Sequence, residues 1–253
     1  MWHGDHFFLL GNLVQKDFKV RYRNMSLGVL WAALNPLVTM GVLTFVFTII
    51  FPSGQPHFPV FVLCGLVPFN FFTMAWASST SSLLESAQLI KRVPVPREIV
   101  PVATVFGNSI HLGIQIALLI AFTLGSGLGV NRQWLWMPLL WGLEIVFVCG
   151  LALTTAALNV YVRDTRYVVE SINVILFWLV PIFYSSERIP PRFRDLYALN
   201  PVAALTVALR QVLMEGRAPS FTIVWKLAAV AVVSLVCGVL VFRKMKRGFY
   251  DYL

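Results

Sequence analysis

The sequence predicts an all-α integral membrane protein with six crossings, and three observations predict it. First, six stretches, at 28–51, 58–84, 99–125, 134–161, 167–186 and 221–242, contain among them only Glu144, Glu170 and Lys226 as charged residues. A helix rises ~1.5 Å per residue, so ~20 apolar residues cross a hydrocarbon core of ~30 Å, and each stretch reaches that length. Second, the 253 residues are 58% hydrophobic and 12% charged with mean hydropathy +0.77, too apolar for a soluble domain of this size. Third, the basic residues gather on alternate links: Lys16, Lys19, Arg21 and Arg23; Lys91, Arg92 and Arg97; Arg163 and Arg166; Arg243, Lys244, Lys246 and Arg247. The positive-inside rule puts those links and both termini in the cytoplasm. A net charge of +9 then reports membrane orientation, and no nucleic-acid role is expected.

The segment at 5–24 precedes the first crossing. At 100° per residue Phe7, Leu10, Val14, Phe18 and Tyr22 fall within about 120° of arc, with Asn12, Lys16, Lys19 and Arg23 opposite. Such a helix lies in the cytoplasmic headgroup layer, as a membrane anchor, as a docking surface for a cytoplasmic partner, or as both. Pro52-Ser53-Gly54-Gln55-Pro56 makes a tight outer turn. Lys91-Arg92-Val93-Pro94-Val95-Pro96-Arg97 makes an inner loop whose prolines stop either span from continuing through it. Arg163-Asp164-Thr165-Arg166 is a short inner link. The outer region 188–216 differs from the others. Asn200-Pro201 reads as N-cap and first helical residue and Gly216 as the stop, so 201–215 predicts a helix of ~22 Å, too short to span. It is expected to be re-entrant or interfacial, preceded by a second short piece around 193–199. Nothing repeats at a fixed period, so the chain reads as one domain.

Cys64, Cys149 and Cys237 all lie in apolar stretches, which argues against a disulfide framework. No cleavable signal peptide is expected, because Phe7–Leu10 is too short an apolar core. The chain has no phosphate loop, no zinc spacing and no hydrolase motif, so energy for uphill transport has to come from a partner or an ion gradient.

Thr104, Asn108, His111 and Gln115 fall on one helical face of the third span, and Glu144 sits at a similar depth in the fourth. An ionisable group at that depth needs a partner or water. A hydrogen-bonded network joining spans three and four is the simplest reading; a proton relay or the lining of a polar pathway are the others. Trp31, Trp134, Trp136 and Trp225 stand at span ends, where an interfacial aromatic belt explains them. Phe69, Phe71, Phe72, Phe177 and Trp178 lie deeper, as packing or lipid-facing groups or as faces over which sugar rings slide.

Several motifs in order carry a resemblance. Asp17-Phe18-Lys19-Val20-Arg21-Tyr22-Arg23, Leu27-Gly28-Val29-Leu30-Trp31 and Leu34-Asn35-Pro36-Leu37 resemble the start of ABC-2 type permeases that export polysaccharides. Cys64-Gly65-Leu66-Val67-Pro68-Phe69-Asn70-Phe71-Phe72 and Leu89-Ile90-Lys91-Arg92-Val93-Pro94-Val95-Pro96-Arg97-Glu98 are similar to that family's second span and first inner loop. Asn159-Val160-Tyr161-Val162-Arg163-Asp164, Pro181-Ile182-Phe183-Tyr184 and Leu199-Asn200-Pro201 resemble its later motifs, and the O-antigen exporter subgroup is the nearest likeness. Phe69 stands where a Trp is common, and Met25-Ser26 varies the first motif.

The resemblance implies a multi-pass inner-membrane homodimer bound to two copies of a separate ATPase. ATP and magnesium would sit on that partner, with no cofactor, metal or catalytic residue on this chain, and a lipid-linked polysaccharide would be the substrate. It implies that Lys16, Lys19, Arg21, Arg23, Lys91, Arg92, Arg97, Arg163, Asp164 and Arg166 couple to the ATPase. Spans one and five of each subunit would line the channel, with Trp31, Phe69, Phe72, Phe177, Trp178, Phe183 and Tyr184 along the pathway. Capsular polysaccharide, teichoic acid or a small molecule are alternative cargoes. A membrane-embedded enzyme using His111 and Glu144 is the alternative from another class and predicts turnover without an ATPase. A passive channel would conduct ions without ATP.

Overall fold

The computed structural model describes residues 6–22, 30–92, 96–185, 189–190, 192 and 200–249. The described elements are helices joined by turns: α1 (His6–Tyr22), α2 (Trp31–Phe45) prolonged by a π-helical turn at Val46–Ile50, α3 (Phe58–Glu85), the short α4 (Ala87–Arg92), α5 (Ile99–Gly125), α6 (Met137–Tyr161) entered through a 3-10 turn at Arg132–Trp136, α7 (Thr165–Leu179), α8 (Pro201–Leu213) and α9 (Phe221–Met245), which ends in a 3-10 turn at Lys246–Gly248. Five of them, Trp31–Ile50, Phe58–Glu85, Ile99–Gly125, Arg132–Tyr161 and Phe221–Gly248, are long and apolar enough to cross a membrane. Residues 28 and 29 of the first predicted span and the short outer piece at 193–199 lie outside the described residues.

The predicted crossing at 167–186 is not one continuous helix. α7 has 15 residues, and Val180 turns extended (ψ 133°) immediately before Pro181. A proline pushes its predecessor out of the α region and cannot donate its own amide, so the helix has to stop there. The chain continues as a buried irregular segment, Val180, Pro181 and Ile182 being shielded from solvent.

α3 is the centre of the bundle: 78% of its most apolar window is buried, against 11% for the first span. It packs on α5 and on α6, α9 packs mainly on α6, and α8 lies against α3, with Arg210 reaching Phe61 in its first half. Lipid tails are as apolar as leucine, so such helices associate through close packing and hydrogen bonds rather than through burial from water. Both devices are present. Cβ atoms at Gly150 and Gly238 would each land on backbone atoms of the facing helix, which marks a tight α6–α9 crossing. Thr80 and Thr155 share a 2.7 Å hydroxyl contact, and the Asn159 amide donates to the Thr80 carbonyl at 3.1 Å, locking α3 to α6 near the C-terminal ends of both helices.

α1 packs along the start of α5. Its covered face is centred on Leu13 and Asp17 rather than on the predicted apolar arc: Leu13 is buried, and the Thr104 hydroxyl donates to Asp17 Oδ2 at 3.2 Å. Asp17→Ala is therefore expected to loosen α1 from the bundle, read as faster proteolysis between α1 and α2 with the remaining spans intact.

Candidate functional site

Beyond Leu179, α7 stops short and the carbonyls that follow need donors. Arg210 supplies them from α8, whose start is fixed by Asn200 accepting from Val202 N at 3.1 Å and Ala203 N at 3.4 Å. The guanidinium is buried and donates to Pro181 O at 2.6 Å, Ile182 O at 2.8 Å and Phe61 O at 3.2 Å, with its carbon 3.4 Å from the Phe61 ring centroid. Gly65 lets the irregular segment lie against α3, because a Cβ there would stand 2.9 Å from the Ile182 Cα. The sequence showed Arg210 only as an interruption of an apolar helix. The usable signal was the combination of a charge without an acidic neighbour on its own helix and a proline that frees carbonyls upstream.

This clamp fixes the aromatic residues read as pathway candidates. Phe177 lies 5.5 Å from Phe69, 5.6 Å from Trp178 and 6.2 Å from Phe183, ring centre to ring centre, and Phe183 lies 5.4 Å from Tyr184. Phe47 and Phe58, which sequence reasoning missed, extend the series: Phe47 stacks on Phe183 at 5.2 Å and tilts against Phe58 at 6.0 Å. Phe72 belongs to the core instead, stacked on Phe147 at 6.0 Å and next to Trp76. Trp31 is exposed at the start of α2 and does not join the cluster. Trp178, 64% exposed, is the cluster's open end.

The polar face of α5 is buried as predicted, but it joins different neighbours. Asn108 donates to the Ser78 hydroxyl of α3 at 3.0 Å, and Gln115 donates to the Ala32 carbonyl of α2 at 3.3 Å. His111 is buried on the same face. Glu144 is 2% exposed, and neither carboxylate oxygen has a hydrogen-bond partner among the described residues. Asn108 and Gln115 thus tie α5 to α3 and α2, while Glu144 lies among Leu140, Trp141, Phe147 and Val148 of its own helix face. A buried polar group without a partner destabilises, whereas a shape-matched apolar one does not. Glu144→Leu is expected to fold in at least wild-type yield with an equal or higher melting temperature. A large fall would show that the carboxyl has a structural partner.

Lys16 and Lys19 on α1, Lys91 on α4, and Arg163 and Asp164 between α6 and α7 are exposed. Arg166 is exposed too and pairs with Glu170 at 2.9 Å, which holds its guanidinium above its usual range. Arg23 and the side chains of Arg21 and Arg92 lie outside the described residues. Arg97 is engaged by the chain's own C-terminus: it donates to Lys246 O at 3.0 Å and lies 5.9 Å from the Phe249 ring. Tyr161 donates to Met245 O at 2.6 Å, and Lys246 pairs with Glu98 at 3.3 Å, so the C-terminal turn ties the first inner loop to the end of α6.

Comparison with known proteins places the chain in a family. The permease protein RfbA of the O-antigen export system in Klebsiella pneumoniae is 29% identical over 248 residues, covering 98% of this chain and 95% of the relative. RfbA of Myxococcus xanthus is 28% identical over 245 residues, covering 96% and 94%. The polysialic acid transport protein KpsM of Escherichia coli is 24% identical over 239 residues, covering 93% of each chain. The family description "ABC-2 type transporter" matches residues 9–214, most of the bundle from α1 through α8, and the chain belongs to that family.

Proposed function

We propose that this chain is the permease subunit of an ATP-driven exporter that moves a lipid-linked polysaccharide, O-antigen first among the cargoes, across the bacterial inner membrane. The observation that carries this reading is near end-to-end likeness to proteins named as O-antigen export permeases, at higher identity than to the polysialic acid transporter. The aromatic series from Phe58 through Phe183 to Trp178 supports it, since ring faces hold sugars without demanding one fixed hydrogen-bond geometry.

In this reading the whole chain is one transmembrane domain with six crossings and both termini inside. The crossing that completes the six, fifth in chain order, is α7, about 22 Å of helix at ~1.5 Å per residue, together with the buried irregular segment at 180–185. Without it, Arg243, Lys244, Lys246 and Arg247 would face outward, against the charge rule. α8 is then the outer re-entrant element. Two copies assemble on two ATPase subunits, which contact α1 and the loops carrying Lys91 and Arg163–Arg166.

Co-reconstitution with the ATPase into vesicles loaded with lipid-linked polymer tests the reading: export should require ATP and both proteins. Arg163→Glu combined with Asp164→Lys is expected to leave assembly intact and to lower export per ATP hydrolysed at least tenfold. Turnover of a substrate by the isolated chain, or ion conductance without ATP, would displace the exporter reading.

A further inference from the structure

We propose that the cytoplasmic end of the bundle carries a binding site for one acidic phospholipid of the bilayer, with an acyl chain in a groove under α1 and the phosphate at Arg243. The groove, about 340 Å³, runs between α1, α5, α6 and α9 and is lined by Leu10, Val102, Leu153, Leu235 and Val239, with Glu98 as its polar lining residue. A space so apolar holds water poorly, and hydrocarbon is the medium that surrounds it.

The charges at its mouth set the headgroup. Leu235, Val239 and Arg243 follow one another at four-residue spacing, so they share a stripe of α9 and the cation stands one turn beyond the last apolar lining residue. Arg243 is exposed and has no ion pair or hydrogen bond among the described residues. Glu98 does not oppose an anion there, because Lys246 pairs with it at 3.3 Å. Arg97 is held by the C-terminal turn, and of the exposed cations nearby Arg243 is the one on the groove's own stripe of α9. An apolar slot ending at a free guanidinium matches a fatty chain attached to a phosphate. This site lies at the α5–α6–α9 face and depends on membrane insertion alone, so it stands or falls separately from the identity of the exported polymer.

Native mass spectrometry of the full-length chain, titrated with phosphatidylglycerol and phosphatidylcholine of the same acyl length, tests the proposal. Wild type is expected to bind phosphatidylglycerol about fivefold more tightly, the preference that one basic residue confers at an acidic surface. Arg243→Glu is expected to abolish that preference, and Arg243→Gln to reduce it with the helix unaltered. Val239→Trp, which fills the groove, is expected to lower occupancy by both lipids. Equal affinity for the two lipids in wild type, an unchanged preference in Arg243→Gln, or retention of lipid-linked polymer in place of phospholipid would overturn the assignment.

Discussion

Arg210→Leu is expected to leave little folded protein in the membrane. The wild-type guanidinium satisfies the carbonyls of Pro181 and Ile182, which a continued α7 would have paired internally, and adds a second hydrogen bond to Phe61 O of α3. Non-helical backbone is tolerated in an apolar interior only when something else takes its hydrogen bonds. Leucine is smaller and has no donors, so each of the two abandoned carbonyls costs ~1–3 kcal/mol, roughly 2–6 kcal/mol together. Arg210→Lys keeps the charge but not the planar fork and should reach one carbonyl at a time, giving an intermediate loss. Thermal unfolding followed by size exclusion reads the difference, and cleavage within residues 180–185 should accelerate in both variants. An Arg210→Leu protein that stays monodisperse at the wild-type melting temperature would show that the clamp is incidental.

The same cluster shows what a sequence can and cannot disclose. Length, charge gaps and the alternation of basic links announce the long helices directly, because a bilayer imposes one length and one charge rule on every crossing. The Asn200 cap and the Gly216 stop announced α8 to within two residues, because capping is local chemistry. Pro181 was visible too, yet its consequence was not: the end of α7 depends on carbonyls finding Arg210, 29 residues away. Glu144 and His111 were matched by depth alone, and depth fixes height along a helix but not which face meets which neighbour. Asn108 and Gln115 accordingly turn toward α3 and α2. Among the aromatic candidates that the resemblance implies, Phe177, Trp178, Phe183 and Tyr184 lie close together in the chain and cluster, Phe72 meets them only through Phe69 at 6.5 Å, and Trp31 is exposed at the start of α2.

Gly150→Leu is expected to separate α6 from α9 and to prevent assembly. A Cβ at position 150 would overlap the Ser234 carbonyl group, and one at 238 would overlap the Gly150 carbonyl, so the two backbones touch with no side chain between them. Ser234 and Gly238, four residues apart, form the small-residue face that membrane helices use to approach closely. Overpacking in an ordinary core costs ~1–3 kcal/mol because side chains yield; here the obstacle is backbone, so even Gly150→Ala should lower the melting temperature and leucine should exceed that range. Moving α9 outward also uncovers Leu227, Ala231 and Phe242, the residues it buries. The hydrogen bond from Ser234 to Phe147 O at 3.0 Å offers a separate account of the same crossing. Ser234→Ala decides between them: losing that bond should cost about 0.6 kcal/mol, the mean for interhelical bonds in membranes, and leave the melting temperature nearly unchanged. If Ser234→Ala proves as damaging as Gly150→Leu, polar attraction rather than close approach holds α9 in place.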